Sequence, residues 1–298
     1  QEIDRVNLLA KSYDKIDDIE NAFSYFEKTN LLNLNNKSKE IDKNRFLNEI
    51  RKRIECFKKI NKIKSFSPKI FTEYKPIFMF GFPRSGTTLL DTILRSHPRI
   101  EVVEEKPATH KLINSLNKFT NNSIEKIFDI DEKNIQEIKN KYFQEIKSYI
   151  KNHDSQKIYI DKMPLNIIYI GEILRVFPEA KFIISLRHPC DCVLSSFIQN
   201  FKLNDSMSNF LNLNDTANFY DLVMILFKIY KTKFSFNFKE IKYENIVINF
   251  TSEVKNLLEF LEMPWDDSVL EYQKTAKARE RIFTPSYDQV IKPLYSQS

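Results

Sequence analysis

The sequence predicts an α/β fold: a P-loop-like parallel sheet flanked by helices, preceded by an α-helical, repeat-like segment. Three observations predict it. Short apolar runs at 76–80, 157–161, 181–186 and 238–243 alternate with stretches of helical periodicity, the pattern of parallel strands joined by crossover helices. The first run leads into Gly81-Phe82-Pro83-Arg84-Ser85-Gly86-Thr87-Thr88, a loop bracketed by glycines that opens a helix. Up to residue 64 the apolar spacing is helical.

Taken in order, residues 3–30 read as a helix–turn–helix. Val6, Leu9, Ala10 and Tyr13 keep one face, 14–18 turn, and Ala22, Tyr25 and Phe26 resume it. Tyr13, Ala22 and Phe26 match the Y…A-x-x-x-F core of a tetratricopeptide repeat, and a lone repeat needs a neighbour to cover its face. A helix follows over 42–62, then a linker at 65–75 containing Pro68. This organisation predicts a helical repeat-like segment over 1–64 and a catalytic domain over 65–298. The helix after the loop ends near Ser96-His97-Pro98, and 106–150 is mostly helical. Further helices are expected at 165–177, 189–200 and 215–230, and at 251–261 behind a Thr/Ser cap.

Composition narrows the class. The chain has 298 residues, 42% hydrophobic and 29% charged, ample for a buried core. A net charge of +6 suits an anionic ligand but is too diffuse to indicate nucleic acid. Three cysteines make no disulfide framework, so a reducing, cytoplasmic setting is expected. His97, His110, His153 and His188 are scattered, and Cys190-x-Cys192 lacks nearby partners, so no metal site is expected. No apolar run is long enough to span a membrane, and no signal peptide opens the chain.

The loop carries the chemistry. The chain has only three glycines, and two of them, Gly81 and Gly86, bracket it. Unpaired amides at a helix start, with the helix dipole, favour a phosphate or sulfate. Arg84, Ser85, Thr87 and Thr88 add side-chain donors. The spacing is G-x-x-x-x-G-T-T, with Thr87 where a nucleoside-triphosphate loop carries lysine.

These residues identify a resemblance. Phe82 through Thr88 resembles the 5′-phosphosulfate loop of sulfotransferases that use 3′-phosphoadenosine 5′-phosphosulfate (PAPS). Ile184-Ser185-Leu186-Arg187-His188-Pro189 through Ser195 is similar to their 3′-phosphate site. The tyrosylprotein sulfotransferases and bacterial tetratricopeptide-repeat sulfotransferases are the branch resembled most. Glu104-Glu105, Asp161-Lys162-Met163-Pro164 and the serine block Ser286-Tyr287-Asp288 resemble its further motifs, so the likeness runs from about Pro76 to Pro293. Two departures stand out. The sequence stops at Ser298, before a further donor-binding lysine of the family, and Gln199 stands where a second arginine is common. Weaker donor binding, or substitution by Lys202, is expected.

The resemblance implies PAPS as donor co-substrate, no metal, and transfer to a hydroxyl. The acceptor is a protein tyrosine or a small-molecule or carbohydrate hydroxyl. Glu105 is the implied base and Glu104 a minor alternative; His110, by its closeness to Glu105 in sequence, is a reserve. Lys162 and Ser286 are implied to assist the leaving group. Arg84, Ser85, Gly86, Thr87 and Thr88 are implied to cradle the 5′-phosphosulfate, Arg187 and Ser195 to hold the 3′-phosphate, and Tyr243 to touch the donor. A protein partner for the helical repeat and a homodimer are further expectations; nucleic acid is not. Two alternatives stay open. A P-loop nucleotide or small-molecule kinase is suggested by Asp161, which ends a strand like a Walker-B acid. The other is a catalytically inactive, repeat-based binding module.

Overall fold

Five strands, all parallel, form one sheet in a computed structural model that describes residues 1–60 and 75–279. They are β1 (Ile77–Gly81), β2 (Ile100–Glu104), β3 (Ile158–Lys162), β4 (Lys181–Leu186) and β5 (Asn237–Lys242), in the order β2-β3-β1-β4-β5. The chain first builds to one side of β1 and then crosses to the other. The carboxyl end of β1 is therefore a topological switch point, where open parallel sheets bind ligands. The loop after β1 stands there.

The strand pleat sorts the core by residue type. Ile77 and Met79 of β1 join Ile160, Ile183 and Ile241 in an aliphatic layer. That layer is covered by α4 (Thr87–Ser96), α10 (Tyr243–Phe260) and α11 (Tyr272–Ala278). Phe78 and Phe80 point to the other face. Phe78 lies 5.5 Å from Phe182 and 5.8 Å from Tyr142, ring centre to ring centre. Tyr142 belongs to α6 (Glu132–Ser148), which follows α5 (Ala108–Thr120). Every β1 residue is buried, as a central parallel strand requires.

Two elements differ from the sequence expectation. β2 was not anticipated, because its run Ile100-Glu101-Val102-Val103-Glu104 is short, carries two charges and follows a proline turn. As an edge strand it needs little apolar surface: Ile100 and Val102 alone enter the aliphatic layer. The final long helix begins at Tyr243 instead of Thr251. It carries non-helical backbone at Asn249 (φ −130°, ψ 47°), and the stretch beyond this kink matches the expected helix.

The chain divides into two compact units, one of Gln1–Lys52 with His188–Leu226 and one of Arg53–Arg187 with the chain from Phe227 onward. The boundary expected at 64/65 falls in 61–74, outside the described residues. In the first unit, α1 (Glu2–Lys15) and α2 (Ile19–Asn36) form the expected hairpin, with Asp18 capping α2 through the Asn21 N–H. Ala10, Ala22 and Phe26 are buried with Phe197 of α8 (Pro189–Phe197), and Tyr13 stacks on Tyr25 at 5.2 Å. Lys43 of α3 (Lys43–Lys59) pairs with Asp215 of α9 (Leu213–Lys233) at 2.5 Å.

In the second unit, Gly171 on α7 (Ile170–Val176) is a packing glycine. A Cβ there would stand 2.4 Å from Phe57 Cζ and 3.0 Å from Tyr230 Cε1. Both rings are fully buried, so neither has room to retreat. A Gly171→Ala change gains about 1 kcal/mol of helix propensity but overpacks the core by about 1–3 kcal/mol. We predict net destabilisation of up to about 2 kcal/mol in chemical denaturation.

Candidate active site

The loop after β1 is shaped by contacts that leave room for no larger residue. A Cβ on Gly81 would lie 2.5 Å from Ser85 Oγ and 2.7 Å from the Ser185 carbonyl oxygen. Arg84 takes a left-handed φ of 70°, and the Ser85 N–H closes the turn on the Phe82 carbonyl at 3.1 Å. Ser185, on the neighbouring β4, donates its hydroxyl to the Ser85 carbonyl at 2.7 Å. Gly86 then caps α4 with φ 96°, ψ 11°, and no side chain caps this helix start. The first amides of α4 have no carbonyl one turn back, so they and the helix dipole face the loop.

The side chains around this cradle suit an anion. Ser85 Oγ is buried and finds no hydrogen-bond partner among the described residues. Thr87 and Thr88 are buried on the first turn of α4, and Arg84 is half-buried. The desolvated Ser85 hydroxyl at the start of a helix is a setting that phosphate or sulfate oxygens satisfy.

Beside the loop lies a charged cluster. Lys162 ends β3, where it is the register partner of both Met79 on β1 and Glu104 on β2. Its ammonium is fully buried and reaches Glu104 Oε1 at 3.1 Å and Glu105 Oε1 at 2.9 Å. Glu105 sits at φ 50°, a turn locked by its N–H donating to the Lys162 carbonyl at 2.8 Å. This left-handed turn aims two consecutive carboxylates at one lysine. The Glu105 side chain is 38% exposed and that of Glu104 18%, so Glu105 is the more accessible to an incoming group.

The cluster extends through residues that carried no sequence signal. Arg279, just past α11, hydrogen-bonds Glu104 Oε2 and stands 3.7 Å from Asp91 Oδ2. Asp91, on α4, is fully buried and accepts from Arg95 Nε at 2.8 Å. Burial works against an ionised Glu104, but the charges of Lys162, Arg279 and Arg95 outweigh it and hold its pKa below the ordinary value. Burial also opposes the Lys162 charge; Glu105, Glu104 and Asp91 overcome it and raise its pKa. Burial raises that of Asp91.

Asp161 points the other way. Strand alternation turns it from the Lys162 side toward α5 and α6, where its Oδ2 accepts from Thr109 Oγ1 at 2.8 Å and Tyr142 OH at 3.1 Å. It is therefore committed to the packing of those helices and unlike an acid presented to a bound metal. Burial pushes its pKa up to about 6, against the pull of these two donors.

On the β4 side, Arg187 follows the strand and its guanidinium carbon lies 4.8 Å over the Tyr243 ring. The same ring approaches the Cβ direction of Gly86 at 2.9 Å, so Tyr243 touches both the loop and the arginine. Ser195 is half-buried on α8, in the first unit, with Gln199 just beyond that helix. His97 is structural: its Nδ1 accepts from the Arg99 N–H at 3.1 Å, which leaves Nε2 to donate to the Pro264 carbonyl at 3.0 Å. His110 is exposed, with its ring edge on Tyr169. Ser286 lies outside the described residues. Among the described residues, no group of three or more His, Cys, Asp or Glu is placed to hold a metal ion, and no helix is long and apolar enough to cross a membrane.

Comparison with known proteins gives this geometry a context. The pattern that defines the sulfotransferase family matches residues 76–267. A protein of Aquifex aeolicus (strain VF5), described only as uncharacterized, is 29% identical across 98% of this chain and 38% of its own length. Protein-tyrosine sulfotransferase 1 of Danio rerio is 25% identical over 76% of this chain and 66% of its own. This chain thus spans between about a third and two-thirds of these relatives. Among solved structures, the sulfotransferase domain of the Synechococcus PCC 7002 olefin synthase aligns with 17% identity and a TM-score of 0.46, covering 78% of this chain and 89% of that one.

Asp161 generates a prediction that needs no ligand. In the unfolded chain it titrates near the ordinary value of about 4; in the folded protein it titrates at about 6. Between those values the folded state holds the extra proton, so this group's contribution to stability falls as pH rises from 4 to 6 and is flat above. Asp161→Asn abolishes that slope. The variant's stability relative to wild type, read by urea denaturation, should climb by about 2–3 kcal/mol between pH 4 and 6.

Proposed function

The chain belongs to the sulfotransferase family, and on that premise we propose that it moves a sulfuryl group from PAPS to a hydroxyl acceptor, with Glu105 as general base. The observation that carries this reading is the buried Lys162 held between two carboxylates, two register positions short of the anion cradle. It supplies in one place a base, a cation and a seat for an anion.

In this reading Glu105 takes the acceptor's hydroxyl proton as the oxygen attacks sulfur. The bond from sulfur to the 5′-phosphate oxygen breaks, and adenosine 3′,5′-diphosphate leaves. The loop amides with Arg84, Ser85, Gly86, Thr87 and Thr88 hold the 5′-phosphosulfate, and their donors stabilise charge on the transferring group. Lys162 neutralises the departing oxygen, with Ser286 as second donor. Arg187 and Ser195 hold the 3′-phosphate, and Tyr243 backs the arginine by cation–π contact. Gln199 brings no charge, which leaves Arg187 as the principal 3′-phosphate cation. A P-loop kinase would want a lysine where Thr87 stands, and an acid toward metal where Asp161 turns to Thr109 and Tyr142.

The acceptor reading takes in a protein tyrosine, as the name of the Danio rerio relative specifies for that protein, or a small-molecule or carbohydrate hydroxyl. The α1–α2 hairpin reads as one tetratricopeptide-like repeat that binds a protein partner. The three free cysteines, two of them buried, accord with a reducing compartment such as the cytoplasm.

Adenosine 3′,5′-diphosphate without magnesium is expected to raise the thermal midpoint by several degrees at about a hundred times its dissociation constant. Glu105→Gln should keep that stabilisation and lose about 10²–10⁴-fold in kcat for transfer from ³⁴S-labelled PAPS. Stabilisation by ATP with magnesium alone would overturn the reading.

A further inference from the structure

Lys162 faces two carboxylates, and a single ammonium does not balance both. Two acids brought together in a buried site ordinarily share a proton near neutral pH, one of them being forced to stay protonated. A second cation removes that need, and Arg279 provides it. Its guanidinium hydrogen-bonds the Glu104 oxygen turned away from Lys162 and lies 3.7 Å from Asp91, which Arg95 holds in turn.

We propose that Arg279 is a positioning residue: by engaging the outer oxygen of Glu104 it keeps that carboxylate an ionised anchor for Lys162, and so leaves Glu105 as the one acid of the pair that exchanges the acceptor's proton. The first half stands on the geometry alone; the second rests on the proposed sulfuryl transfer.

The charges around Glu104 support the assignment. Lys162 comes from β3, Asp91 and Arg95 from α4, Arg279 from beyond α11, and Glu105 from the turn after β2. They alternate in sign along the path Arg95, Asp91, Arg279, Glu104, Lys162, Glu105, with each charge between two of the opposite kind except at the ends. The side chains of Asp91 and Lys162 are fully buried and that of Arg279 is 14% exposed, so water screens these pairs weakly. Glu105, at the exposed end, has Lys162 as its only cation partner in an ion pair among the described residues. Removing Arg279 leaves Glu104 buried beside a lysine it must share. Its proton affinity then rises, and once it is protonated the Lys162 ammonium falls wholly to Glu105, tying down the base.

The test uses the whole chain and two readouts. In protein labelled with ¹³C at glutamate side-chain carboxyls, the Glu104 resonance is the one missing from Glu104→Gln. Arg279→Gln should move its titration upward by about one pH unit or more, and Arg279→Lys should restore most of the shift. In turnover, Arg279→Gln should lower kcat about 10–100-fold with the donor KM within about twofold, and the acid limb of the kcat profile should move upward together with the Glu104 titration, because protein with Glu104 protonated is the slow form. The same change made in Glu104→Gln protein should have little further effect, since Arg279 acts through Glu104. An unchanged Glu104 titration in Arg279→Gln overturns the proposal, as does an equal loss of kcat in both backgrounds. Should wild type transfer no sulfuryl group, the carboxyl titration still decides the link between Arg279 and Glu104, so the two failures read differently.

Discussion

A fully buried ammonium at the carboxyl end of β3 is the constraint on which the site depends. Lys162 has no exposed surface, and an isolated charge in that position would be prohibitively unstable. Its neighbours are therefore obligatory. Glu104 must end β2 in register with it, and Glu105 must turn back at φ 50°. Helix α4 must bring Asp91 and Arg95 alongside, and Arg279 must return from the far side of α11. One buried cation thus ties three separated stretches of chain to the end of β3. Breaking any single partner leaves a charge stranded, which is far costlier than removing the whole set.

What was legible in the sequence was local. The loop 81–88 announces itself because glycine positions, turn chemistry and helix start lie within eight consecutive residues. Arg187 and Lys162 stand at strand ends that apolar runs predict, and Glu104-Glu105 is a visible pair. What was hidden was long-range. Arg279 meets Glu104 across 175 positions, and nothing in the residues around it distinguishes it from a surface arginine at a helix end. Asp91 looks like one more polar residue in an amphipathic helix until the fold buries it. The edge strand β2 was hidden for another reason: it buries few apolar side chains, so the periodicity that reveals central strands is weak in it. Asp161 shows the limit of motif reading. An acid at the end of a strand suggests metal, but the pleat turns it toward Thr109 and Tyr142, and sequence spacing records the pleat without saying which face carries the ligand.

The three glycines show how sparingly the chain uses backbone freedom. Gly81 is required because Ser85 and the Ser185 carbonyl fill the space a side chain would take, and Gly171 because Phe57 does. Gly86 alone also needs its unusual backbone angle, which starts α4 at the point where the Tyr243 ring closes over it. In a chain so poor in glycine, each one marks a close approach. Two of the three approaches shape the cradle, and Tyr243 links that cradle to Arg187.

The alternating run of charges beside the loop has a bearing on how an anion arrives. Three cations and three anions cancel, and opposite charges packed in sequence give a field that dies away within a few ångströms of the cluster. The chain's formal charge of +6 is therefore carried entirely outside it. At a distance, an approaching polyanion senses Arg84, Arg187 and the dispersed surface lysines, and their pull weakens as salt is added. Lys162, buried and paired with Glu104 and Glu105, adds little to that distant field. In the proposed transfer, capture and chemistry thereby fall to separate sets of charges. Surface cations can drift over evolutionary time and retune how fast ligand is gathered, without disturbing the balance at the reacting centre.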